Sequence, residues 1–162
     1  ASRGALFASF ALIVGALAAL FAAAPAFAQE EDVVAFVRDF YTKEVARHAA
    51  KQNQSEDDFL QVFTKDAQEL WRAAQANRGK ANVPLGPIRH LFLGTGVLPG
   101  REVKLGAVTA SGGAVSVALT VQGNPRQLVV RTAREGGALK IADIDYGDGE
   151  SFLAYFRKLA GR

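Results

Sequence analysis

The sequence predicts an α+β domain: two helices, then a curved four-stranded antiparallel sheet, then a closing helix. Three observations lead there. Apolar residues recur at helical spacing between Val33 and Ala74. The period then switches to two, with Val115, Val117, Leu119 and Val121 alternating against Ser116, Ala118 and Thr120. Finally, Ala138-Leu139-Lys140-Ile141-Ala142-Asp143-Ile144-Asp145-Tyr146 reads as a last strand that runs through Gly147-Asp148-Gly149 into a helix. Helices first and strands after place the helices on one face of a single sheet.

Residues 1–28 read as a leader rather than as part of this domain. Arg3 is their only charge, and residues 5–24 form an unbroken apolar run. Pro25 is expected to break that run, and Ala26-Phe27-Ala28 supplies a small-x-small site before the polar Gln29-Glu30-Glu31-Asp32. This is the pattern of a secretory signal peptide cleaved after Ala28, leaving residues 29–162 as one domain. The alternative is a retained anchor, since the run is also long enough to span a bilayer. The 162-residue chain has a formal charge of +3 and no cysteine. That balance points away from nucleic acid. The absence of thiols excludes disulfides, a cysteine nucleophile and cysteine metal sites, so stability rests on packing. An alanine-rich leader on a chain without disulfides fits a Gram-negative periplasm.

The first helix is expected over residues 31–51, where Val33, Val37, Phe40, Tyr41, Glu44, Val45 and His48 share helical spacing. Ser55 reads as the cap of a second helix, with Asp58 standing in for the capping-box acid. Its face is Phe59, Val62, Phe63, Ala67, Leu70 and Ala74, and Arg78-Gly79 reads as its stop. Residues 80–100 hold Pro84, Pro87 and Pro99 and read as an irregular crossover with one helical turn or a short strand around the apolar patch 88–93. Strands follow at 102–110, 114–122, 126–134 and 138–146, separated by Gly-containing turns. The closing helix covers 151–160, with Asp148 as its expected cap.

These residues resemble a known superfamily. The Val33-x-x-Phe36-x-x-x-Phe40-Tyr41 pattern of the first helix, the Pro/Gly-rich crossover, the meander, and Leu139-Lys140-Ile141-x-Asp143-Ile144-x-Tyr146 at the end are similar to small secreted bacterial domains of unknown function in the nuclear-transport-factor-2-like (cystatin-like) superfamily. The likeness covers about residues 30–160, and Leu139 stands where such domains often carry Trp. The resemblance implies a cone with a pocket between sheet and helices. It implies no activity, because that superfamily spans isomerases, dehydratases, binding domains and adaptors.

Candidate site residues are few. Strand alternation is expected to put Asp143 and Asp145 on one face with Leu139 and Ile141, where two carboxylates can form an acid/base pair. Asp143 can equally accept hydrogen bonds from a helix end or pair with Arg131. His90, beside Arg89 and Phe92 in the apolar patch, is the natural proton shuttle to set against Asp143. Tyr41, Trp71 and Tyr146 either line a pocket or close the core. Arg126 and Arg134 share one strand face and Arg131 the other, so no basic stripe is expected. His48 suits a helix C-terminus. No metal or cofactor signature is present, nor a phosphate loop or nucleophile elbow.

The expected function is therefore an exported, non-enzymatic domain that binds a small apolar ligand or a protein partner through Tyr41, Trp71, Arg89, His90, Phe92, Arg131, Asp143 and Tyr146. The alternatives are an isomerase- or hydrolase-like enzyme using Asp143 with His90, and an accessory subunit anchored by residues 1–28. A homodimer through the outer sheet face is open.

Overall fold

A computed structural model of the chain describes residues 10–80 and 89–162, with side chains from Gln29 onward except that of Arg89. Residues 81–88, including Pro84, Pro87 and Ile88 of the expected crossover, lie outside the described residues, as do residues 1–9 of the expected leader. The chain divides into two compact units, Ala1–Asp32 and Val33–Arg162. Helix α1 spans Phe10–Ala49. Pro25 falls inside it, so the expected break is absent. A proline in a helix interior costs about 3 kcal/mol through a lost hydrogen bond and a ring clash, and the alanine-rich turns on either side favour helix strongly enough to carry through it. Among the residues described with side chains, no helix is long and apolar enough to cross a membrane.

Within the second unit, the expected second helix is two. Helix α2 (Glu56–Leu60) begins at Ser55, whose side chain accepts from the Asp58 amide, and α3 (Lys65–Ala76) begins at Thr64, whose side chain accepts from Ala67. Between them the chain is drawn into the sheet: Thr64 N–H donates to the Ile141 carbonyl at 2.9 Å, and Ile141 N–H donates to the Val62 carbonyl at 2.8 Å. Phe63 is thereby buried completely. Helical periodicity runs through this break because one apolar face serves both pieces, so spacing alone could not reveal it. The end of α3 also differs from expectation. Asn77, not Arg78-Gly79, is the C-cap, and its side-chain amide donates to the Leu159 carbonyl at 2.9 Å.

The crossover carries a miniature antiparallel hairpin, β1 (Arg89–His90) with β2 (Gly94–Thr95). Then come β3 (Val103–Ser111), β4 (Ala114–Val121), β5 (Asn124–Glu135) and β6 (Ala138–Asp145), antiparallel in the order β3-β4-β5-β6. Three two-residue turns join them, each with positive φ at both positions, the mirror-image geometry that matches strand twist. At Gln122-Gly123 the first position is a non-glycine held at φ 48. Val115, Val117, Leu119 and Val121 of β4 are all buried, as their alternation predicts. Helix α4 (Phe152–Ala160) packs on α3, and its Phe152 ring stacks on Phe63 at 4.4 Å. Its cap is Ser151, whose side chain accepts from Ala154, and not Asp148. The molecule is thus α+β, with helices early, one four-stranded antiparallel sheet and a helix last.

One irregularity changes the reading of β6. Opposite Arg131 and Thr132 the register slips, so that Asp143 faces Arg131 while Ile141 faces Thr132, leaving Ala142 as the extra residue of a bulge. The buried residues are then Ile141, Ile144 and Tyr146, with Ile141 and Ile144 three apart. Asp143 and Asp145 therefore do not share a face with Ile141. The bulge shifts the alternation by one and turns both carboxylates away from the core side.

Candidate functional site

The hairpin at residues 89–95 gathers most of the candidate residues. Phe92 sits at its tip and is 4 % exposed. Its ring stacks on Phe63 at 5.5 Å and meets Phe40 edge-on at 4.9 Å and Phe59 at 6.1 Å. Trp71 joins from α3 through Phe59, at 5.2 Å. Aromatic residues here fill the space between helices and hairpin, and edge-to-face and offset contacts of this kind add to burial energy.

Two tyrosine hydroxyls hold the backbone of the tip. Tyr41, fully buried on α1, donates to the Phe92 carbonyl at 3.0 Å, and Tyr146, at the end of β6, donates to the Leu91 carbonyl at 2.7 Å. The Thr95 hydroxyl donates to Asp148. Gly94 is close-packed: a Cβ there would stand 3.5 Å from the Leu128 side chain and 3.8 Å from Tyr146.

His90 holds the tip from inside. Its Nδ1 accepts from two backbone amides, Phe92 N–H and Leu93 N–H, each at 3.2 Å. With two donors aimed at it, Nδ1 is the bare nitrogen and the proton resides on Nε2. Burial, and next the neighbouring His48 ring 5.7 Å away, bring its pKa down to about 4. His48 itself bonds through Nε2 to the Arg101 carbonyl at 2.9 Å.

The same face of α1 carries an internal carboxylate. Glu44 is 4 % exposed and lies 3.0 Å from Arg47 Nη1. Burial raises its pKa and Arg47 partly offsets the rise. Tyr41 is raised well above the usual phenol range by burial first, then by Tyr146 and Glu44. Burial thus shifts His90, Tyr41 and Glu44 each toward its neutral form.

Asp143 belongs to a different place. Its Oδ1 accepts from the Ile144 amide at 2.9 Å and from the Leu153 amide at 3.0 Å. Leu153 is in the first turn of α4, so the carboxylate completes that helix start. Arg131 is its cross-strand neighbour and is exposed. Asp145 accepts from the Gly147 amide at 2.9 Å in the turn that follows. Among the described residues no hydrogen bond links His90 to Asp143. Tyr41, His90, Phe92 and Tyr146 come together, Trp71 reaches them only through Phe59, and Asp143 with Arg131 stands at the start of α4. The side chain of Arg89 lies outside the described residues.

Among the described residues, shallow surface depressions lie elsewhere. One of about 470 Å³ is lined by Lys65, Gln68, Glu135, Gly136 and Lys140. Another of about 440 Å³ is lined by Arg47, Gln52, Asn53, Gln54, Ser55 and Asp58. In the first, both Glu135 oxygens accept from the Lys65 amide, at 3.0 and 3.2 Å, so a carboxylate of the chain already occupies the start of α3. No group of three metal-ligating side chains forms among the described residues.

Sequence reasoning did not single out Glu44 or the His48–His90 contact. A signal existed for the first: a carboxylate at an apolar-face position of an amphipathic helix. None existed for the second, since the two histidines meet only through the packing of the hairpin on α1. No family model, no curated protein and no solved structure matches this chain.

Proposed function

We propose that this chain is an exported, non-catalytic binding domain with the cone architecture of the nuclear-transport-factor-2-like superfamily. Residues 1–28 act as its leader, and its site of action is the periplasm. Its occupant is a small apolar molecule, or an apolar side chain of a partner protein, that takes the place of Phe92 beneath the hairpin.

One observation supports this most. The groups that acid/base chemistry would need are engaged as backbone acceptors: His90 by Phe92 and Leu93, Asp143 by Leu153. What remains beneath the hairpin is a buried cluster of phenyl rings around Phe92, an interior suited to apolar contact rather than to reaction.

Native mass spectrometry of the protein purified from its own host tests this. The expected result is an additional mass from a bound apolar molecule or a partner. Recovery of only the bare chain, together with no binding of an added fatty-acyl probe, would overturn it.

A further inference from the structure

The hairpin at residues 89–95 is fastened to the rest of the unit by the buried Phe92 ring and by hydrogen bonds to its backbone. Tyr41 and Tyr146 donate to the carbonyls of Phe92 and Leu91. The bonds to His90 are internal to the hairpin and close its tip. Phe92 N–H and Leu93 N–H both donate to Nδ1, which can accept only while it carries no proton. Protonation there would set a third N–H against two others in a half-buried site and would leave two backbone amides without an acceptor.

We propose that this hairpin tip is an acid-labile turn: protonation of His90 at Nδ1 breaks the two bonds that close residues 90–93, while the aromatic cluster and the four-stranded sheet stay intact. The turn opens in this way whether or not the interior takes a ligand.

The groups that face His90 support this direction. From α1 comes His48, whose ring is 5.7 Å away and whose electrostatic effect lowers the pKa of His90. Tyr41 and Glu44 lie on the same helix; burial raises the pKa of each, and the Glu44 carboxylate is engaged by Arg47 at 3.0 Å. Tyr146, just after β6, meets the hairpin at Leu91 through its hydroxyl. The carboxylate of Asp148 meets it at Thr95, on the second strand of the hairpin. Consistent with these surroundings, the pKa of His90 lies at about 4. If opening returns the ring to an ordinary value of about 6.5, the open fraction grows about 20-fold between pH 7 and pH 5.

Amide hydrogen exchange on the full chain reads this directly. Protection factors at Phe92 and Leu93 are measured at pH 7 and pH 5, with the amides of Val115, Val117 and Leu119 in β4 as the internal reference. The expected result is a fall of about 20-fold at Phe92 and Leu93 and little change in β4. His90→Asn places an amide oxygen where Nδ1 stands and cannot titrate, so its hairpin amides should stay protected at both pH values. His90→Ala should leave them poorly protected at both. Unchanged protection in the wild type at pH 5 would overturn the proposal, and so would a His90→Asn variant that loses protection on acidification as the wild type does.

Discussion

The Oδ1 oxygen of Asp143 lies 3.0 Å from the amide nitrogen of Leu153, ten residues further along the chain. The bulge at Ala142 lets a strand residue reach the start of the next helix, and Ser151 caps the same turn through Ala154. Strand β6 and helix α4 are thus joined by a carboxylate as well as by Phe152. Asp143→Ala should lower stability by about 1–2 kcal/mol, as for loss of a helix-start acceptor. Asp143→Asn, which keeps an oxygen, should cost less than half of that. Urea denaturation midpoints decide it, and equal losses for both variants would mean that the amide bond to Leu153 is not what Asp143 contributes.

Tyr41 and Tyr146 hold adjacent carbonyls of one hairpin tip. Removing either hydroxyl leaves a carbonyl without its donor, at a cost of about 1–2 kcal/mol. Because both hydroxyls fasten the same short segment, Tyr41→Phe and Tyr146→Phe should couple, so that the double variant loses less than the sum. A double-mutant cycle measures this, and strict additivity would argue against a shared tip.

Phe92 fills the centre of the aromatic cluster. Phe92→Ala should cost about 3–5 kcal/mol, the range for emptying a core aromatic site. Phe92→Leu should recover a large part of it. Thermal or urea unfolding of the two variants provides the comparison.

Gly147 follows β6 with φ 75, and a Cβ there would meet the Gln127 carbonyl oxygen at 2.6 Å. Gly149, two residues on, has φ 84 but open space around it. Both Ala variants carry the left-handed penalty of about 1–2 kcal/mol. Only Gly147→Ala adds a clash with backbone, so it should be clearly the less stable of the two on urea unfolding.

Glu44 gives stability a pH dependence of opposite sign to that of His90. Its folded pKa is raised above the usual carboxylate value. Its favourable contribution is therefore full below the unfolded pKa, and it is lost as pH rises through the folded value. Glu44→Gln should look better against the wild type at pH 7 than at pH 4, even with Arg47 deprived of its partner. For His90, whose folded pKa is lowered to about 4, stability is full above about 6.5 and declines as pH falls toward 4. Unfolding curves across pH 4–8 for wild type, Glu44→Gln and His90→Asn separate the two contributions.

Much of the architecture was readable from residue order. The apolar alternation of β4 and the turn pairs at Gly112-Gly113 and Gly136-Gly137 are local features, and each places a strand boundary to within a residue or two. The core assignments of Val37, Phe40, Tyr41, Leu70 and Phe152 follow from helical spacing in the same way. The break between α2 and α3 was not readable, because Phe59, Phe63, Ala67 and Leu70 keep helical spacing across it. What interrupts the helix is a pair of hydrogen bonds to Ile141, a residue about 80 positions away. Asp143 was identified as a residue of interest, but the face it occupies was misassigned. A bulge depends on how two strands register, and alternation within one strand carries no record of it.

By itself, the sequence determined the class of the fold, the order of its elements, the apolar content of its core and the absence of thiol chemistry. These rest on periodicity and composition, which are properties of neighbouring residues. Only the tertiary structure decided that His90 serves Phe92 and Leu93, that Asp143 serves Leu153, and that Glu44 is buried beside Arg47. The partner of a polar side chain is set by which segments pack together and in what register, and that is fixed by the burial of Phe63, Phe92 and Phe152 in one cluster rather than by any local pattern.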